Sequence, residues 1–134
     1  MNMANPVHDQ VLRNMRMHLA DHIDFGHLER YTMGEPALTR ELLSTFCHEA
    51  RMFVDEWRSG AMNSSQVECR ALHRLKGAAR AIGAFPLAEA AAWLEQLLRE
   101  QTGRQDVADA RDDLRAHLDA LQDACRRWKT QNGA

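Results

Sequence analysis

Apolar residues recur along this chain at helical spacing, three or four positions apart, and nowhere alternate as a half-buried strand would. Between positions 36 and 58, Leu38, Leu42, Phe46, Ala50, Phe53 and Trp57 form one stripe, widened by Leu43 and Val54. This predicts a long amphipathic helix opened by Pro36 at its first position, where proline's missing N–H costs nothing. Leu72, Leu75, Ala79 and Ile82 mark a second helix, for which Ser65-Gln66-Val67-Glu68 reads as a capping box. Leu87, Ala91, Leu94 and Leu98 mark a third, beginning at Pro86. Val107, Leu114, Leu118, Leu121, Cys125 and Trp128 mark a fourth, over about 106–129. Each has one apolar face that needs a partner.

Breaks fall where glycine and proline cluster, near positions 34, 61, 84 and 104. Connections this short favour antiparallel neighbours, so the predicted fold is all-α, an up-and-down antiparallel four-helix bundle. Two short helical segments precede it. Asp24 is placed to cap a helix running through Leu28 to Met33, and Val11, Met15 and Leu19 suggest amphipathic turns before that. These segments are expected to lie as a lid over one end or side of the bundle. The expected organisation is an N-terminal extension over 1–22, helical by its pattern, a bundle domain over 23–129 and a frayed tail over 130–134.

Composition narrows the function classes. The chain has 134 residues, enough for one hydrophobic core. Seventeen Lys and Arg against 19 Asp and Glu give a formal charge of −2, so no chain-wide basic field draws nucleic acid or an anionic membrane. The first 22 residues contain no unbroken apolar run, and no stretch of about 18 apolar residues follows. Cys47, Cys69 and Cys125 are odd in number, far apart and without a CxxC pair. Neither a disulfide framework nor a cysteine-based zinc site is indicated, and a reducing cytoplasm is the expected location.

The helix after Ser65 carries residues that a purely structural helix would not select. At about 100° per residue, with the core set by Leu72, Leu75, Ala79 and Ile82, His73 projects outward. Gln66 and Gly77 share its line, Cys69 and Arg80 lie on one flank, Arg70 on the other, and Lys76 is one turn away. Glycine inside an exposed helix costs about 0.5–1 kcal/mol relative to alanine, although alanine stands at 71, 78, 79 and 81. Gly77 therefore clears room beside the imidazole for a large partner. Lys76, at i+3, can reach an anion attached to that ring and partly neutralise a transferred phosphoryl group.

His73-Arg74-Leu75-Lys76-Gly77-Ala78-Ala79, continuing to Ile82-Gly83-Ala84, resembles the H-x-L-K-G signature, with its downstream Gly-Ala, of histidine-containing phosphotransfer (HPt) domains. Phe85-Pro86-Leu87-Ala88-Glu89 through Leu94-Glu95 is similar to that family's next helix. Ile23-Asp24, Leu28, Gly34, Leu38, Glu41-Leu42-Leu43 and Phe46 are similar to its leading helices. The likeness spans about 23–128.

The resemblance implies a phosphorelay intermediate that is not itself a kinase. Such domains have no ATP site and no cofactor of their own. They take a phosphoryl group from an aspartyl phosphate in one response-regulator receiver domain and pass it to the aspartate of another, with Mg2+ held by the receiver. On this likeness His73 is the phosphorylated nucleophile, Lys76 steadies the phosphoryl oxygens, Gly77 admits the receiver and Glu95 orients the imidazole. Receivers and a hybrid histidine kinase are the expected partners, on a surface comprising His27, Arg30 and Tyr31 together with Arg70, Arg74, Arg80 and Ala81. The chain is expected to act as a free-standing monomer. An HPt-like adaptor that binds a receiver or kinase without carrying phosphate is the alternative. His18 and His22, four apart with His27 nearby, have the spacing of two helical metal ligands, but no motif supplies a third, and no metal site is expected.

Overall fold

A computed structural model describes residues 6–101 and 103–131, and within them six helices and no strand. They are α1 (Pro6–Leu19), α2 (Phe25–Thr32), α3 (Pro36–Ser59), α4 (Ser65–Ile82), α5 (Phe85–Arg99) and α6 (Arg104–Gln131). α3 to α6 form the four-helix bundle; α1 packs against α6 and α3, and α2 against α3 and α4. Within the tail expected at 130–134, Thr130 and Gln131 continue α6, while 132–134 lie outside the described residues. The side chain of Val11 is also outside them.

The core is continuous from α1 to α6. Leu72, Leu94, Leu114 and Leu118 are fully buried, and so are Met15 and Leu19 of the N-terminal segment, in the same cluster. At about 25 cal/mol per Å2 of apolar surface, a buried Leu or Met contributes roughly 1.5–3 kcal/mol, enough to hold α1 against the bundle.

Three expectations change. In α3 the buried stripe is Thr39, Leu43, Phe46, Cys47, Ala50, Phe53 and Val54, whereas Leu38 is 40% exposed. The rotation brings the Thr39 hydroxyl within 2.8 Å of the Thr32 hydroxyl, so two small polar groups pair where α2 meets α3.

The capping box does not form. Ser64 is the N-cap of α4, its hydroxyl accepting from the Val67 N–H at 3.2 Å. Glu68 turns inward instead. It is 4% exposed, accepts from Arg111 Nη2 at 2.6 Å and Arg111 Nε at 3.1 Å, and accepts from Trp57 Nε1 at 2.9 Å. A buried carboxylate needs such partners, and this one joins α3, α4 and α6.

Cys47 and Cys125 form a disulfide between α3 and α6 across 78 residues of sequence, with Cα atoms 6.3 Å apart. Spacing in sequence conceals the pair, because only the antiparallel register of α3 and α6 sets the two core positions opposite each other. Cys69 is the free cysteine.

Candidate functional site

α4 presents the site, and Gly83 fixes how α4 ends. This residue has φ +88°, a left-handed cap that glycine adopts without the Cβ penalty, and its N–H returns to Arg80 O at 3.2 Å. A Cβ here would lie 2.8 Å from Asp24 O. The same backbone accepts from Asp24 N at 2.9 Å, so the start of α2 rests directly on the end of α4. Asp24 caps α2 as expected, its carboxylate accepting from His27 N at 3.1 Å.

His27 serves this junction. Its Nε2 is 3.2 Å from Ala81 O and its ring meets Phe85 edge-on at 5.2 Å, which leaves it half-buried. It is therefore not a free docking side chain of the kind expected, but a pin between α2, α4 and α5. Arg30 and Tyr31 on α2, and Arg70, Arg74, Arg80 and Ala81 on α4, are exposed as expected.

His73 stands out from α4 with 66% of its side chain exposed. Gly77 is exposed beside it, and a Cβ built on Gly77 meets nothing within 4 Å. No neighbouring helix requires the missing side chain, so packing does not explain this glycine.

Behind His73, Glu95 of α5 is 4% exposed and acts as a hub. Its Oε2 is 3.2 Å from His73 Nδ1 and accepts from Arg99 Nη2 at 2.7 Å, while Oε1 accepts from Lys76 Nζ at 2.7 Å. Burial alone would raise the carboxyl's pKa. The hydrogen bond and charge of Lys76, with Arg99's charge and the His73 contact, outweigh burial and hold it below its ordinary value. An ionised carboxylate only accepts, so His73 Nδ1 carries the proton, and the Nε2 lone pair is the one left for an incoming electrophile.

Lys76 is less open than its position suggests, with 18% of its side chain exposed. One N–H goes to Glu95, leaving two donors for an oxyanion on His73. Arg99 was not among the residues singled out from sequence. The available signal was its i+4 spacing from Glu95 on one face of α5. Cys69 Sγ lies 3.9 Å from Glu95 O, and burial raises the thiol's pKa, so it is a small packing residue here.

Among the described residues no group of three or more His, Cys, Asp or Glu is placed to hold a metal ion, His18 and His22 included. None of their helices is long and apolar enough to cross a membrane.

Residues 41–124 match the family model of the Hpt domain, well over half of the chain and spanning the His73, Lys76, Gly77 and Glu95 constellation. The chain belongs to the Hpt family. It is thereby a histidine phosphotransfer domain of phosphorelay signalling.

Solved structures agree on the fold. A rice protein described as a histidine-containing phosphotransfer protein is 17% identical and superimposes with a TM-score of 0.63, covering 96% of both chains. The maize histidine-containing phosphotransfer protein is also 17% identical, with a TM-score of 0.65, over 93% of this chain and 98% of the maize one. No curated protein sequence matches the chain.

Proposed function

We propose that this Hpt domain carries phosphate on His73 Nε2 between two receiver domains. The Nε2 lone pair attacks the phosphorus of a receiver aspartyl phosphate. The P–O bond breaks, the aspartate leaves as carboxylate, and an N–P bond forms. The Nδ1 proton stays on the hydrogen bond to Glu95, so the tautomer is set before the partner arrives. In the return step an aspartate of a second receiver attacks the phosphorus and the Nε2–P bond breaks. Lys76 lends charge to the transferred oxygens, Gly77 leaves room for the partner, and the exposed arginines of α4 speed encounter with an acidic receiver pocket.

The observation that carries this reading is the exposed His73 ring held at Nδ1 by a buried, ionised Glu95. Mg2+ belongs to the receiver in this scheme, and the domain contributes no cofactor. The proposal gives the protein, as a monomer, a hybrid histidine kinase and response regulators as its partners; with Cys47 and Cys125 linked, the cysteines no longer argue for the cytoplasm, which rests on the family reading alone. A receiver labelled with a small phosphodonor should lose label to the protein, and His73→Gln should abolish that transfer. Transfer undiminished in His73→Gln would remove the site assignment. Receiver binding without label would favour the adaptor reading.

A further inference from the structure

Two grooves flank the ridge of α4, and they carry opposite charge. The first, between α4 and α5, has a volume of ≈ 650 Å3 and is lined by Arg70, Arg74 and Arg99 around His73, over Cys69 and Leu98, with no carboxylate among its lining residues. The second, between α3 and α4, has a volume of ≈ 430 Å3. It has Glu49 and Glu56 on its α3 side, Met52 beside them with 47% exposure, and a floor that includes Ala71, Leu75 and Ala78. Arg74 lines both and divides them.

Apart from Arg99, which pairs with Glu95, this segregation has no structural use within the domain. Glu49 and Glu56 are exposed, as are Arg70 and Arg74, and none of the four side chains enters an ion pair or side-chain hydrogen bond among the described residues. A surface shaped only for solubility interleaves the two signs. Here Arg70, Arg74, Lys76 and Arg99 outnumber Glu95 and Glu100 on the α5 flank, whereas the α3 flank sets Glu49 and Glu56 against Arg74 alone. A polarised patch of this kind specifies the orientation of a docked partner and penalises one whose charges run the other way. Met52 adds an adaptable apolar contact between the two glutamates.

We infer that the α3–α4 groove is a specificity arm of the receiver-docking surface. The partner it fits is a receiver that sets carboxylates against Arg70 and Arg74 and, on the other side of the phosphorylation site, seats an apolar side chain flanked by Lys or Arg between Glu49 and Glu56. The inference rests on the phosphocarrier reading and adds which receivers are chosen. Continuity decides for a receiver over an unrelated partner, because Arg74 belongs to both grooves and adjoins His73.

The test compares two routes of labelling. For each receiver in a panel, the second-order rate of transfer to the protein is divided by the rate at which phosphoramidate labels His73 directly, since the small donor can reach His73 without touching the α3–α4 groove. For the receiver that is fastest with wild type, Glu49→Lys/Glu56→Lys should lower this ratio about tenfold, and exchanging a facing Lys or Arg of the receiver for Glu should restore much of it. The wild-type receiver rate should also fall as salt rises. A ratio within about twofold of wild type for every receiver, in a variant that melts normally, would overturn the inference. Wild-type protein labelled by phosphoramidate but by no receiver would overturn the phosphocarrier reading along with it, and so the two failures are distinguishable.

Discussion

His73 Nδ1 lies 3.2 Å from Glu95 Oε2, joining an imidazole with 66% of its side chain exposed to a carboxylate with 5% exposed. The imidazole is in water and the carboxylate it meets is in the core, tied also to Lys76 and Arg99. Glu95→Gln keeps an acceptor for Nδ1, whereas Glu95→Ala removes it and leaves the Lys76 ammonium without a counter-charge. Glu95→Ala is expected to slow receiver-to-His73 transfer by about tenfold to a hundredfold, in the range of general positioning effects, and Glu95→Gln by less. Rapid-quench transfer assays on both variants check the order; equal rates for Glu95→Ala and wild type would contradict the positioning role.

Acid should expose the same hub. The folded-state pKa of Glu95 is lowered, so its contribution to stability is present above the ordinary carboxylate pKa of about 4.5 and is lost as pH falls through the folded value. Urea midpoints should therefore decline below pH ~4.5 more steeply in wild type than in Glu95→Gln. Parallel declines in the two proteins would contradict the coupling.

Gly77 separates folding from partner access. Since a Cβ there meets nothing within 4 Å, Gly77→Ala should stabilise the domain by about 0.5–1 kcal/mol through helix propensity. Gly77→Leu should fold but slow transfer from receivers well beyond any effect on phosphoramidate labelling. Thermal melts and the two labelling rates measure both effects.

Gly83 should behave in the opposite way. With φ +88° and Asp24 O only 2.8 Å from a built Cβ, Gly83→Ala is strained by its backbone and crowded by main chain that cannot swing aside. A loss of about 2 kcal/mol or more is expected. Hydrogen exchange should rise first in α2, whose anchor this junction is, and unchanged protection there would contradict the assignment.

The Cys47–Cys125 disulfide closes 78 residues of sequence, and cross-links of that span typically contribute about 2–4 kcal/mol. Reduction, or Cys47→Ser/Cys125→Ser, should lower the Tm by several degrees. Alkylation of the unfolded, unreduced protein should label Cys69 alone. Three labelled cysteines would show that the link is not formed.

The helices, their order and the His73-Lys76-Gly77 face were legible in the sequence because both are local. A 3.6-residue period states which side of a helix is buried, and a glycine amid alanines states that its missing Cβ has a use. Glu95 was legible only through family resemblance, and its partner Arg99 was missed, because an exposed-looking i+4 pair is ordinary until the carboxylate is seen to be buried. Glu68 was misread for a related reason. Its position fits a capping box, and only the packing of α3 and α6 offered it Arg111 and Trp57 instead. The disulfide, the use of His27 as a pin, the contact of Gly83 with Asp24 and the opposed charges of the two grooves all depend on which residues of different helices meet. Periodicity along one helix fixes a direction for each side chain, but rotation and register between helices are set by the whole core, and those contacts were decided by the tertiary structure alone.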